Sequence, residues 1–141
     1  MYSPLAKRNI RQKEFVLSID YAPTILELGR AEIGSHIQGR SIIPLLIGET
    51  KNWRKSFLME YYSFENPFPW LMGTDYKALR NERYKYIHWV MHPDQNELYD
   101  LIKDPLEQNN LFFDQTSRKT IKKMEKELAR QVAESFGSYS L

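Results

Sequence analysis

The sequence has no cysteine, which excludes disulfides, thiolate metal sites and a cysteine nucleophile from these 141 residues. It also has no apolar run near the roughly 20 residues that a membrane-spanning helix needs, and Met1 to Arg11 lack the apolar centre of a secretory signal. The expectation is a chain that this segment neither anchors nor exports. An excess of charge of either sign is also missing. Lys plus Arg total 20 against 18 Asp plus Glu, and a formal +2 does not argue for nucleic acid or an anionic membrane without a local patch. The densest basic cluster, Lys119, Lys122, Lys123 and Lys126, is broken by Glu125 and reads as a solvated helix face. It sits away from the aromatic residues that a nucleic-acid surface would interleave with it. Histidine numbers three; His88 and His92 are four apart but fall on a strand pattern with no third ligand nearby. Asp94, Glu97, Asp100 and Asp104 lack the spacing of a calcium loop and read as caps and turns.

What is abundant is aromatic surface, 13% of the chain, with much of the Tyr and Trp lying between Trp53 and Tyr99. That concentration predicts a sheet in the middle and helices at the ends. Tyr21, Ile25 and Leu28 recur at helical spacing over 21–28, with Asp20 as the expected cap, Pro23 in the first turn and Gly29 as a left-handed end. A second short helix is expected from Ser41 as cap, Pro44 in its first turn, Ile42, Ile43, Leu45 and Leu46 inside, and Gly48 as stop. Strands are expected at 56–62, 76–80, 83–90 and 97–101, with Asn81–Glu82 as a tight connection. Between the first two, Pro67, Pro69 and Gly73 impose a long loop carrying Phe64, Phe68, Trp70 and Leu71. Asp104-Pro105-Leu106-Glu107 matches a capping box and predicts a short helix ending near Asn110. Ile121, Met124, Leu128 and Val132 mark the inner face of a helix over 116–135, with Lys123–Glu127 and Arg130–Glu134 as outer pairs. The fold class is therefore α+β, a small antiparallel sheet of about four strands with a long C-terminal helix packed on it and short N-terminal helices. Glu60 and Arg80, both on strands beside the aromatic loop, are expected to form a cross-strand ion pair.

Five stretches then resemble one family in order. Glu97-Leu98-Tyr99-Asp100-Leu101, followed by Asp104-Pro105, Glu107 and Asn110-Leu111, is similar to a signature near the C-terminus of sulfatases of the alkaline-phosphatase superfamily. The others are Ser18 to Leu26, Gln38-Gly39-Arg40-Ser41 with Pro44-Leu45-Leu46 and Gly48, Trp53-Arg54 through Glu60, and Ala78-Leu79-Arg80 with Arg83 to Tyr86. The resemblance implies a C-terminal subdomain whose upstream catalytic domain carries the chemistry. It divides the chain into a helical connector at 1–50, packing on that catalytic domain, and the subdomain proper at 51–141. It implies calcium and a formylglycine, made from Cys or Ser in a Cys/Ser-x-Pro-x-Arg motif, for the complete enzyme. This chain has no such motif, since Ser3-Pro4 places its proline one position early. No catalytic residue and no metal ligand is assigned, and the chain is expected to be inactive alone. A periplasmic, secreted or lysosomal setting is implied by the family. Tyr62, Asn66 and Trp70, with His36 behind them, are the candidate contacts to a sulfated saccharide, on the warrant of loop position. The alternative is a free-standing glycan-binding or interaction module that keeps this fold.

Overall fold

The computed structural model describes residues 11–63, 70 and 72–137. They form two compact units, Met1–Lys55 with Ser135–Leu141, and Ser56–Glu134.

In the first unit a 3-10 turn at Ser18–Asp20 leads into α1 (Tyr21–Leu28), and α2 follows at Ile43–Leu46. Both helices stop by the same device. After α1 the Ala31 N–H reaches the Leu26 carbonyl and the Arg30 N–H reaches that of Glu27; after α2, Glu49 reaches Pro44 and Gly48 reaches Leu45. These paired bonds satisfy carbonyls that a helix end otherwise leaves bare, and they need one left-handed residue each. For α2 that residue is Gly48, at φ 91°. For α1 it is Arg30, at φ 55°, one residue past the expected Gly29, which stays right-handed. Ser41 Oγ accepts the Ile43 N–H at 3.3 Å, and Ile42 and Leu45 are buried.

Asp20 does not cap α1, contrary to expectation. Its carboxylate is fully buried and turned the other way. It accepts the Leu17 N–H at 2.7 Å, the Arg40 N–H at 2.9 Å and the Arg54 Nη2 at 2.7 Å, with Arg54 Nη1 on its second oxygen. A buried carboxylate is tolerated only with such a set of donors, and four groups outcompete a frayed helix end. The adjacent Thr24 Oγ1 accepts the Ile42 N–H at 3.0 Å, tying α1 to the start of α2.

The second unit holds the expected four-stranded antiparallel sheet in the order β1 (Ser56–Tyr61), β2 (Tyr76–Asn81), β3 (Tyr84–Trp89), β4 (Glu97–Asp100). Period-two alternation places Leu58, Leu79, Tyr86 and Leu98 side by side across all four strands. On that row packs α3 (Arg118–Gly137) through Ile121, Met124 and Leu128, with Val132 partly buried beyond them. Each fully buried aliphatic side chain in this layer contributes about 1.5–3 kcal/mol. Polar ties fix the helix in place: Ser56 Oγ donates to Glu127 Oε1 at 3.1 Å and Gln131 Nε2 donates to Ser56 Oγ at 2.8 Å. Asp114 accepts the Thr116 N–H at 2.8 Å and caps the 3-10 turn before α3.

Three further expectations are corrected. The register sets Glu60 opposite Lys77, 3.5 Å away, and Arg80 opposite Phe57, so the ion pair is Glu60–Lys77. On α3, Arg130–Glu134 forms, but Glu127 is taken by Arg130, Gln131 and Ser56 rather than by Lys123. No helix forms at Asp104-Pro105-Leu106-Glu107, which makes a single turn closed by the Glu107 N–H on the Asp104 carbonyl. Glu107 adopts φ 55° and its carboxylate pairs with Lys85, while Asp104 accepts the Asn109 N–H at 2.8 Å. The tertiary partner removed the acid that the capping box required.

Candidate functional site

One end of the sheet collects exposed apolar and aromatic groups. There β1 runs out into Tyr62 and Ser63, β2 begins after Asp75, and β3 leaves through Val90 and Met91. Tyr62, Trp70, Met72, Val90 and Met91 are all exposed, Trp70 to 74%. Large apolar groups scattered singly on a surface are ordinary, whereas five on neighbouring segments make a candidate binding surface.

The polar base under this surface is a clasp. Ser63 is buried, and its N–H and Oγ both donate to Asp75 Oδ1, the former at 2.7 Å. The same Ser63 Oγ accepts the Gly73 N–H at 3.1 Å, and the Asp75 carbonyl accepts the Val90 N–H at 2.9 Å. The two ends of the 63–73 loop are thereby held together at the sheet. Gly73 sits at φ 84°, a conformation that a side chain resists, and a Cβ there would lie 3.8 Å from His92 Nε2. The Ser63 hydroxyl, then its N–H, holds the Asp75 carboxyl below the usual carboxylate range. Tyr62 Oη donates to Glu60 Oε1 at 2.9 Å. Partial desolvation, then that bond, raises the Tyr62 phenol above its ordinary value, so it remains a protonated donor at neutral pH.

Behind the surface, an aromatic run crosses the sheet face opposite α3. Tyr61 stacks on Tyr76 with centroids 5.7 Å apart, and Tyr76 meets Trp89 edge-on at 5.5 Å. Trp89 Nε1 donates to Glu97 Oε1 at 2.8 Å, and Tyr99 donates to the other oxygen. Burial, then that hydrogen bond, pushes the Tyr99 phenol up to about 12.

Of the candidate contacts, Tyr62 and Trp70 stand exposed at this end of the sheet. Asn66 lies outside the described residues, as do Phe64, Phe68 and Leu71 of the same loop. His36 belongs to the first unit, where it is exposed and its ring rests on Gly34. Sequence reasoning missed Met72, Val90 and Met91, and it missed the Ser63–Asp75 clasp. The available signal was the placement of a Ser and an Asp at the two roots of one Pro- and Gly-bearing loop. The first unit carries a separate groove of about 960 Å³, walled by Arg40, Ser41, Pro44, Lys51, Asn52 and Trp53. Its lining has no histidine. Among the described residues no group of three or more His, Cys, Asp or Glu is placed to hold a metal ion.

Comparison with known proteins bears on the family. The family profile described as N-sulphoglucosamine sulphohydrolase, C-terminal, matches residues 1–134. An N-acetylglucosamine-6-O-sulfatase of Bacteroides thetaiotaomicron is 31% identical over 98% of this chain and 24% of its own length. A solved enzyme in complex with its substrate D-glucosamine-2-N,6-O-disulfate superposes with a TM-score of 0.71 at 30% identity, covering 86% of this chain and 25% of that one. A 2-O GAG sulfatase gives 0.70 at 29% identity, with 85% and 25% covered. The chain thus spans about a quarter of the length of the relatives it matches.

Proposed function

Because this chain belongs to the N-sulphoglucosamine sulphohydrolase, C-terminal family of sulfatase subdomains, we propose that it acts as the C-terminal portion of a sulfuric ester hydrolase whose substrates are sulfated glycans. The observation that carries this is the family match across residues 1–134, joined to relatives four times as long whose names specify sulfated sugars. Its partner on this reading is an upstream catalytic domain, on which residues 1–50 pack, while 51–141 complete the fold and form part of the substrate-pocket wall.

Sulfate-ester cleavage needs an activated nucleophile and positive charge placed against the sulfuryl oxygens. The sequence has no cysteine to convert, and the described residues contain no carboxylate cluster for a cation. The calcium and formylglycine proposed for the whole enzyme fall to residues outside this chain. What the chain supplies is binding. Tyr62 offers a phenol oxygen that can accept while its O–H is held by Glu60, and Trp70 offers an exposed indole of the kind that stacks on a sugar ring. Asn66 is proposed as a contact on the same loop, and His36 as one on its own unit.

The purified chain should show no arylsulfatase turnover with or without calcium. Turnover that follows the chain through successive columns and survives chelation would refute this division of labour. In an enzyme carrying this chain as its C-terminal part, Tyr62→Ala and Trp70→Ala should each raise KM for a sulfated saccharide several-fold at unchanged Tm. An unaltered KM in both would remove the pocket-wall role.

A further inference from the structure

Both longer helices turn a distinctive face outward. α1 exposes Tyr21, Ile25 and Leu28, whereas α3 exposes lysine. Lys119, Lys122, Lys123 and Lys126 stand at i, i+3, i+4 and i+7, which at about 3.6 residues per turn gathers them in one stripe roughly 100° wide and about 10 Å long. The stripe lies opposite Ile121, Met124 and Leu128. Burial of that apolar face against the sheet therefore fixes the lysines toward solvent, and all four are exposed. Nothing on the helix neutralises them, because its three acids are committed elsewhere. Glu125 accepts the Tyr86 hydroxyl at 3.3 Å, Glu127 takes Arg130, Gln131 and Ser56, and Glu134 takes Arg130 as well. None of the four lysines forms an ion pair among the described residues.

Helix stability does not account for this pattern. Like charges at i,i+3 and i,i+4 repel, and the positive end of the helix dipole disfavours cations in the first turn, where Arg118 and Lys119 lie with no acid. Local rules broken twice on one exposed face count in favour of a ligand there. Its form follows from the spacing. Four flexible ammonium groups at steps of about 5 Å along one line suit a row of anionic groups, whereas a single small anion would engage only one or two of them. Stacking platforms for single-stranded nucleic acid are missing, since no aromatic residue occurs from Arg118 to Ser135. Relatives of this chain are named for sulfated sugars, one of them for a GAG, and such a glycan carries ionised sulfates along its length. We propose that Lys119, Lys122, Lys123 and Lys126 form an electrostatic binding site for a sulfated glycan chain of several sugar units. This rests on the reading of the chain as part of an enzyme for sulfated glycans, which supplies the identity of the polyanion.

The test titrates the full chain with a heparin decasaccharide, its desulfated counterpart and a mixed-sequence duplex DNA of matched charge, by calorimetry at several salt concentrations. Heparin should bind with log K falling against log salt at a slope of about −3, the counterion release of four contacts. It should shift amide resonances of residues 118–127 and raise the Tm, since it binds the folded state and relieves the repulsion. Lys119→Gln, Lys122→Gln, Lys123→Gln and Lys126→Gln together should weaken binding at least about tenfold and flatten the slope without lowering the Tm. The corresponding Lys→Arg changes, which keep the charge, should preserve binding. Removing the same charge at Lys13, Lys51, Lys55 and Lys103, all exposed and off the helix, should change affinity less than about threefold. No heparin binding, or binding that the two Lys→Gln sets weaken equally, overturns the stripe and leaves the sulfatase reading to its own test by turnover and KM. Binding of the desulfated glycan or of the DNA as tight as that of heparin refutes the sulfated-glycan assignment. Sulfate-dependent binding through the stripe by a chain that also turns over an aryl sulfate unaided supports the site and refutes the division of labour.

Discussion

Replacing Asp20 by Asn should cost the chain about 3–5 kcal/mol, the range for breaking a buried ion pair by removing one partner. The size follows from what is left behind. Asp20 is fully buried, and Arg54, whose side chain is 10% exposed, would keep its charge with no counter-ion. An asparagine retains one acceptor oxygen for four donors, and its NH₂ faces the guanidinium. Against a total of about 5–15 kcal/mol for a domain, that loss is large enough to shift a urea midpoint visibly. Asp20→Leu combined with Arg54→Met should recover part of the loss, because the two apolar groups leave no charge stranded. The pH dependence separates this account from simple misfit. Burial alone would raise the Asp20 carboxyl, but the Arg54 hydrogen bond, the Arg40 and Leu17 N–H groups and the Arg54 charge hold it below its ordinary value. A lowered folded pKa means the stabilisation is complete above the unfolded value, near 3.9, and disappears as pH falls through the folded value. The gap between wild type and Asp20→Asn should therefore be constant from about pH 7 to 5 and narrow below about pH 4. Urea titrations across that range, with hydrogen exchange over residues 15–55 to locate the loss, provide the measurement. A gap under about 1 kcal/mol at pH 7, or one that does not change on acidification, would refute the network.

Gly39→Ala should destabilise by about 2 kcal/mol or more, read as a drop in Tm, because a Cβ there would stand 1.9 Å from the Ile19 carbonyl oxygen and the clash is with backbone. Asn110→Ala should cost about 2 kcal/mol in urea unfolding. Asn110 Oδ1 accepts the Leu98 and Phe112 N–H groups and its Nδ2 donates to the Asn96 carbonyl, so the change strands the partly buried Leu98 N–H and Asn96 carbonyl beside β4.

The sheet and the long helix were legible in the sequence because their signal is periodic and local. Alternation over residues 56–61, 76–81 and 84–89 sets each strand's inner face, and Ile121, Met124 and Leu128 recur at the helical period. The five family-like stretches, which need no coordinates, also marked the family. Polar residues were a different matter. Asp20, Glu60, Glu107 and Glu127 each have several partners that sequence spacing allows, and the choice depends on energies between groups far apart in the chain. Arg54 is 34 residues from Asp20, Lys77 faces Glu60 only through strand register, and Lys85 draws Glu107 out of a capping box across 22 residues. The Ser63–Asp75 clasp and the exposed rim of Met72, Val90 and Met91 likewise exist only once three strand ends converge. Apolar burial is non-directional and follows the pattern of a single segment, whereas a buried charge takes whichever donors the assembled fold brings within about 3 Å. That is why the sequence alone determined the fold class and the family, while tertiary structure decided each ion pair, the outward turn of α1 and which apolar groups stand exposed at the end of the sheet.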